Sequence, residues 1–114
     1  MRKEVRDYWL IGIKSNTYKK GKSFLRTPED TYCFLGILAD LSVIYGGVTR
    51  TLDKTSYLYD GYRESLPPKT VEWAGLKNTN GYTPYIGKSF TMMNDQDVSW
   101  STMQKYVEKY WEQI

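Results

Sequence analysis

Gly21-Lys22-Ser23-Phe24 returns later in the chain as Gly87-Lys88-Ser89-Phe90. Gly-Lys-Ser closes the phosphate-binding loop of many nucleotide hydrolases. There the backbone amides cradle phosphates, the lysine reaches the outer phosphates and the hydroxyl holds magnesium. That loop needs another glycine five residues upstream and a place between a strand and a helix. Asn16 and Tyr82 occupy the upstream positions, with Gly81 one place off. Neither copy fits, and nothing flanking the two copies matches, so they read as unrelated tetrapeptides. The first copy retains electrostatic interest. Lys19, Lys20, Lys22, Ser23 and Arg26 gather amines, a guanidinium and a hydroxyl around a permissive glycine. Those groups bind phosphate without any catalytic loop.

A second set of side chains has π-faces. Tyr18, Tyr57, Tyr59 and Tyr62 suit stacking on nucleotide bases. The alternative is a sheet face covered by a helix. Asp95 and Asp97 form a carboxylate pair on paper, but Asn94-Asp95-Gln96-Asp97 before a helix is better explained by turn and cap chemistry. Cys33, inside an apolar run, reads as a small buried hydrophobe rather than a nucleophile.

Composition narrows the chemistry. The 114 residues contain no histidine and one cysteine. Histidine bases, Ser-His and Cys-His pairs, histidine or thiolate metal sites and an internal disulfide are therefore excluded. We expect no enzyme and no cofactor. The net charge of +3 is too small to point to nucleic acid, but it is unevenly placed. Residues 1–26 carry eight basic and two acidic side chains, and the remainder carries eight basic and eleven acidic. A local positive field of this kind attracts phosphates or acidic protein surfaces, unless it packs near the acidic remainder. No apolar run is long enough for a membrane helix, and Trp9–Ile13 is too short for a secretion signal. A cytoplasmic location is expected, with no membrane partner.

The elements that must position these residues follow from spacing. Residues 3–14 read as an amphipathic helix burying Val5, Tyr8, Trp9 and Ile13. Lys22–Arg26 reads as a short strand and 27–30 as a Pro-containing turn. Phe34–Val43 is a buried helix carrying Gly36 where another backbone approaches. Val48–Leu52 and Ser56–Tyr62 form a hairpin about Asp53-Lys54. Pro67-Pro68 opens a short helix that Gly75 closes. Tyr85–Met93 reads as a short strand. Ser99 then caps a last helix whose stripe is Trp100, Met103, Val107, Trp111 and Ile114. The expected architecture is a single α+β domain over 1–114. A small antiparallel sheet is packed by the N- and C-terminal helices and two short internal helices.

Three stretches carry a resemblance: YKKGKSFLRTPEDTYCFLGILADL (18–41), LPPKTVEWAGL (66–76) and MMNDQDVSWSTMQKYVEKY (92–110). In order and spacing the chain resembles a family of small uncharacterised proteins of tailed phages and prophages. The family pattern is Tyr-x-x-Gly-Lys, then Tyr-Cys-x-Leu-Gly-x-Leu-x-Asp, then Leu-Pro-x-x-Val-x-x-Trp-Ala-Gly-Leu. Phe34 stands where that family often has a second cysteine, so no Cys-Cys metal or redox role carries over. The resemblance implies an accessory protein of the bacterial cytoplasm, of the kind used against host defences, and it supplies no catalytic residues.

Two functions fit these readings. One is sequestration of a phosphorylated, nucleotide-type immune signal, with Lys and Arg on phosphates and Tyr on bases. It requires the basic 14–26 segment and the tyrosines to share one pocket. The other is inhibition of a host or defence protein through an exposed Tyr/Trp/Arg patch. The aromatic C-terminal stripe leaves room for a homo-oligomer as well as a core.

Overall fold

Three residues of the first helix, Val5, Trp9 and Ile13, turn to the interior of the domain. In the computed structural model, which describes residues 1–114, this helix (α1) spans Lys3–Lys14. Trp9 is fully enclosed, and its indole Nε1 donates to the Phe34 carbonyl at 3.3 Å. Tyr8, expected inward, lies instead at the surface. It is one residue round from Trp9, which takes the centre of the buried face.

The second helix (α2, Phe34–Tyr45) runs through the centre, and its first six residues are all buried. Gly36 is where another backbone approaches, as its place in the run suggested. A Cβ there would overlap the Leu25 carbonyl. Cys33 N donates to that same carbonyl at 3.3 Å, so the 24–26 segment lies directly on the start of α2.

The strands are short. Lys19–Lys20 (β1) pairs in parallel with Thr31–Tyr32 (β2). Arg50–Leu52 (β3) pairs antiparallel with Tyr57–Tyr59 (β4), the hairpin expected about Asp53-Lys54. The intervening 21–30 segment is a loop, not the strand expected at Lys22–Arg26. Only Arg26 makes an isolated bridge, to Tyr32. Residues 27–30 form the anticipated turn, closed by Asp30 N donating to the Thr27 carbonyl at 3.0 Å.

Three further α-helices complete the chain: α3 (Pro68–Ala74), α4 (Phe90–Asp95) and α5 (Trp100–Tyr110), followed by a 3-10 turn at Trp111–Gln113. The α4 helix replaces the strand expected over Tyr85–Met93. Ser89 caps it by accepting from Met92 N at 3.0 Å, and Phe90 and Met93 bury its inner face. Ser99 caps α5 in the same way, accepting from Thr102 N at 3.2 Å. Met103, Val107 and Ile114 form its buried stripe, while Trp111 is half-buried beside Arg6. The architecture is α+β. Its sheet is divided into one parallel and one antiparallel pair, and helices supply most of the core. No helix is long and apolar enough to cross a membrane.

Candidate functional site

Asp40, on the second turn of α2, draws the basic and tyrosine-rich segments together. Its Oδ1 accepts from Arg50 at 2.7 Å, from the Tyr59 hydroxyl at 3.0 Å and from Arg26 at 3.4 Å. Arg26 also donates twice to Asp30, at 2.7 and 3.0 Å. Its guanidinium lies 3.9 Å from the Tyr57 ring centre and 5.1 Å from that of Tyr32. Tyr32 in turn meets Tyr18 edge to face. Burial raises the phenols of Tyr59, Tyr32 and Tyr18, and the Asp40 charge raises them further. All three stay neutral across the physiological range.

The expected stacking residues therefore have different fates. Tyr59 is completely buried, with its hydroxyl engaged, so it offers no face to a base. Tyr57 is half-covered and already holds Arg26. Tyr18 is half-buried against Gly12 and Tyr32. Tyr62 is exposed, past the tight turn that bridges it to Tyr59.

The expected phosphate ligands point mostly elsewhere. Lys20 Nζ donates to the Val98 carbonyl at 2.9 Å, and Lys22 pairs with Asp97 at 2.8 Å. Lys14 lies 3.7 Å from Glu108. Ser23 is exposed on the loop, and Lys19 is exposed with no acidic partner. Of the basic group only Arg26 joins the tyrosines, and Asp30 and Asp40 already answer its charge. The acidic remainder of the chain folds back onto the basic segment.

The opposite outcome holds on the neighbouring face. Tyr8 of α1 and Tyr45 of α2 stack with ring centres 4.6 Å apart and planes 6° from parallel. Both are solvent-facing, at 36% and 52% exposure. On the same two helices, Ile11 and Ile44 are exposed at 67% and 69%. Tyr45 also lies parallel to Trp73 of α3, at 6.5 Å and 11°. Large apolar side chains from three helices thus share one outer surface.

The sequence profile described as Domain of unknown function (DUF8296) matches residues 1–111. The chain belongs to this family. No curated protein and no solved structure matches it.

Two further side chains of this DUF8296 domain, Asn94 and Ser89, fix the segments around the two Gly-Lys-Ser copies. Asn94, expected to serve a turn, is buried. It donates to the Gly21 carbonyl at 2.8 Å and accepts from Phe34 N at 3.1 Å and Trp100 Nε1 at 3.0 Å. It thereby locks the first Gly-Lys-Ser loop against α2 and α5. Gly21 itself has no room for a side chain, because Thr31 lies against it. Ser89, from the second Gly-Lys-Ser, caps α4 and borders a cleft of about 600 Å³. Its position three residues ahead of the first amide it caps was a legible signal, hidden by reading the segment as a strand.

Proposed function

We propose that this domain is a non-enzymatic binding protein of phage origin, used against host defences. In this reading it acts in the bacterial cytoplasm by docking on a host or defence protein. The observation that carries the reading is the exposed Tyr8–Tyr45 stack. Scattered apolar residues are normal on a surface, but an exposed, stacked tyrosine pair bridging two helices, with exposed Ile11 and Ile44 on the same helices, is a feature of the kind that anchors protein partners. Tyr and Trp are over-represented among the side chains that dominate such interfaces.

The anti-defence role rests on the family resemblance in the three quoted stretches. Sequestration of a nucleotide-type signal is the second reading. Its support is the contact between Arg26 and Tyr57, which joins the basic and tyrosine-rich segments. It ranks second because Lys20, Lys22 and Arg26 are engaged within the chain.

Affinity capture from bacterial lysate, with the native chain and an Ile44→Glu variant in parallel, tests the first reading. A stoichiometric, identified protein retained by the native chain and lost by the folded variant supports it. Equal capture by both, or none by either, overturns it. A thermal-shift panel of cyclic dinucleotides, cyclic trinucleotides and ADP-ribose derivatives tests the second. Ligand at a hundred times its dissociation constant adds about 2.7 kcal/mol of stability.

A further inference from the structure

The cleft beside α4 has a chemistry unlike the rest of the surface. Residues 64–65, the 79–80 turn and α4 with its cap enclose about 600 Å³. That is within the ordinary range for a small-molecule site. All but one of its nine lining residues are polar by type, with hydroxyls, two amides and the carboxylates of Glu64 and Asp95 beside Met92, while their carbon atoms supply about half of the exposed wall. It contains no Lys or Arg.

Most of these groups face solvent and have no partner inside the protein, which leaves them open to a ligand. Ser65, Thr79, Thr91 and Gln96 make no side-chain hydrogen bond, and Glu64 and Asp95 make neither a hydrogen bond nor an ion pair. Ser89 is the one buried residue of the lining, at 7% exposure. Its oxygen accepts from Met92 N, while its own proton is taken by no acceptor in the chain. The walls are fixed all the same. Asn80 O accepts from Phe90 N at 2.9 Å, which ties the turn to the first residue of α4. Asn78 and Asn80 side chains hold the turn through Tyr82 N, at 3.0 and 3.1 Å.

We propose that this cleft binds a small hydroxyl-rich molecule bearing an amine, the amino-sugar class. An ammonium would sit toward Glu64 and Asp95, where charge-assisted hydrogen bonds favour it. Ligand hydroxyls would meet the Ser, Thr and amide groups, and a ligand oxygen would accept the Ser89 proton. A phosphate or carboxylate finds two like charges and no cation. An apolar ligand would leave the carboxylates and hydroxyls of the wall unanswered. The second Gly-Lys-Ser therefore contributes to a site of the opposite electrostatic sense from a phosphate loop. This inference does not depend on the protein-docking reading.

Amide chemical-shift mapping of the full chain with glucosamine, glucose and glucose 6-phosphate is the test. Glucosamine should shift Asn80, Ser89, Thr91 and Gln96 and bind about tenfold more tightly than glucose. Glucose 6-phosphate should bind least. The Glu64→Gln/Asp95→Asn double variant changes only exposed side chains, so it should keep its melting temperature and lose the preference for the amine. No shift at these residues with millimolar glucosamine overturns the proposal. So does equal binding of glucose 6-phosphate, or an unchanged preference in the double variant.

Discussion

Asn94 and Gly21, separated by 73 positions, are joined side chain to backbone, Nδ2 to carbonyl oxygen, at 2.8 Å. The same side chain accepts from Phe34 N and Trp100 Nε1. One amide thus satisfies groups from a loop, the first residue of α2 and the first residue of α5. Leucine at this position would leave the buried Phe34 N and the part-buried Gly21 carbonyl and Trp100 Nε1 without this partner. Asn94→Leu should lower unfolding free energy by about 2–4 kcal/mol. Urea denaturation followed by tryptophan fluorescence measures this. A loss below about 1 kcal/mol would mean that water reaches these groups.

Gly36 presses on the Leu25 backbone so closely that an added methyl overlaps the Leu25 carbonyl. Both neighbours are main chain, so neither side can give by changing a rotamer. Gly36→Ala should cost about 3 kcal/mol or more. Gly12→Ala is the control. It is also a helical glycine, but a Cβ there meets a movable Ile37 methyl at 3.1 Å. The helix gains up to about 1 kcal/mol from alanine, so the control should be near neutral. Equal effects in the two variants would refute the backbone-contact argument.

The tyrosines around Asp40 set an alkaline limit. Burial, then the Asp40 charge, holds the phenols of Tyr32 and Tyr59 above their ordinary value near 10. In the unfolded chain both lose their protons near pH 10, while the folded chain keeps them. The stability they contribute is complete below pH 10 and declines as pH rises from there toward the raised folded values. Absorbance at 295 nm follows tyrosine ionisation as the pH is raised. Tyr32 and Tyr59 should ionise only with loss of the fold. Uniform titration of all eleven near pH 10 would contradict the burial.

Cys33 is only partly covered as a whole residue, yet burial around the sulfur pushes its thiol up to about 11. The native protein should react slowly with a disulfide reagent at pH 8. Reaction in urea should be fast, since an unfolded thiol titrates near 8.5. Equal rates would place the sulfur at the surface.

Much of the fold was legible where one element reports on itself. The stripes of α1 and α5, the Ser99 cap, the hairpin at 50–59 and the close approach at Gly36 all follow from local spacing and turn chemistry. The exceptions have nonlocal causes. The pairing of Lys19–Lys20 with Thr31–Tyr32 is two residues long and leaves no periodic trace. The α4 helix is six residues, too short for a helical period, and is settled by the Ser89 cap and the burial of Phe90. The site divides along the same line. Composition marked Arg26 and the tyrosines as chemically interesting, and Arg26 does meet Tyr57 and, through Asp40, Tyr59. That Lys20 and Lys22 would be engaged by Val98 and Asp97 depends on residues some seventy-five positions away, which no local pattern encodes.

Gly21, Gly36 and Asn94 hold the fold through contacts that tolerate no alternative, whereas Tyr8, Ile11, Ile44 and Tyr45 face solvent. A saturation-mutagenesis map scored for abundance would accordingly rank the first three among the least permissive positions and the surface four among the most permissive. Scored for biological effect, the same map would be redrawn only where a partner is touched. The difference between the two maps, rather than either alone, would trace the working surface of this protein.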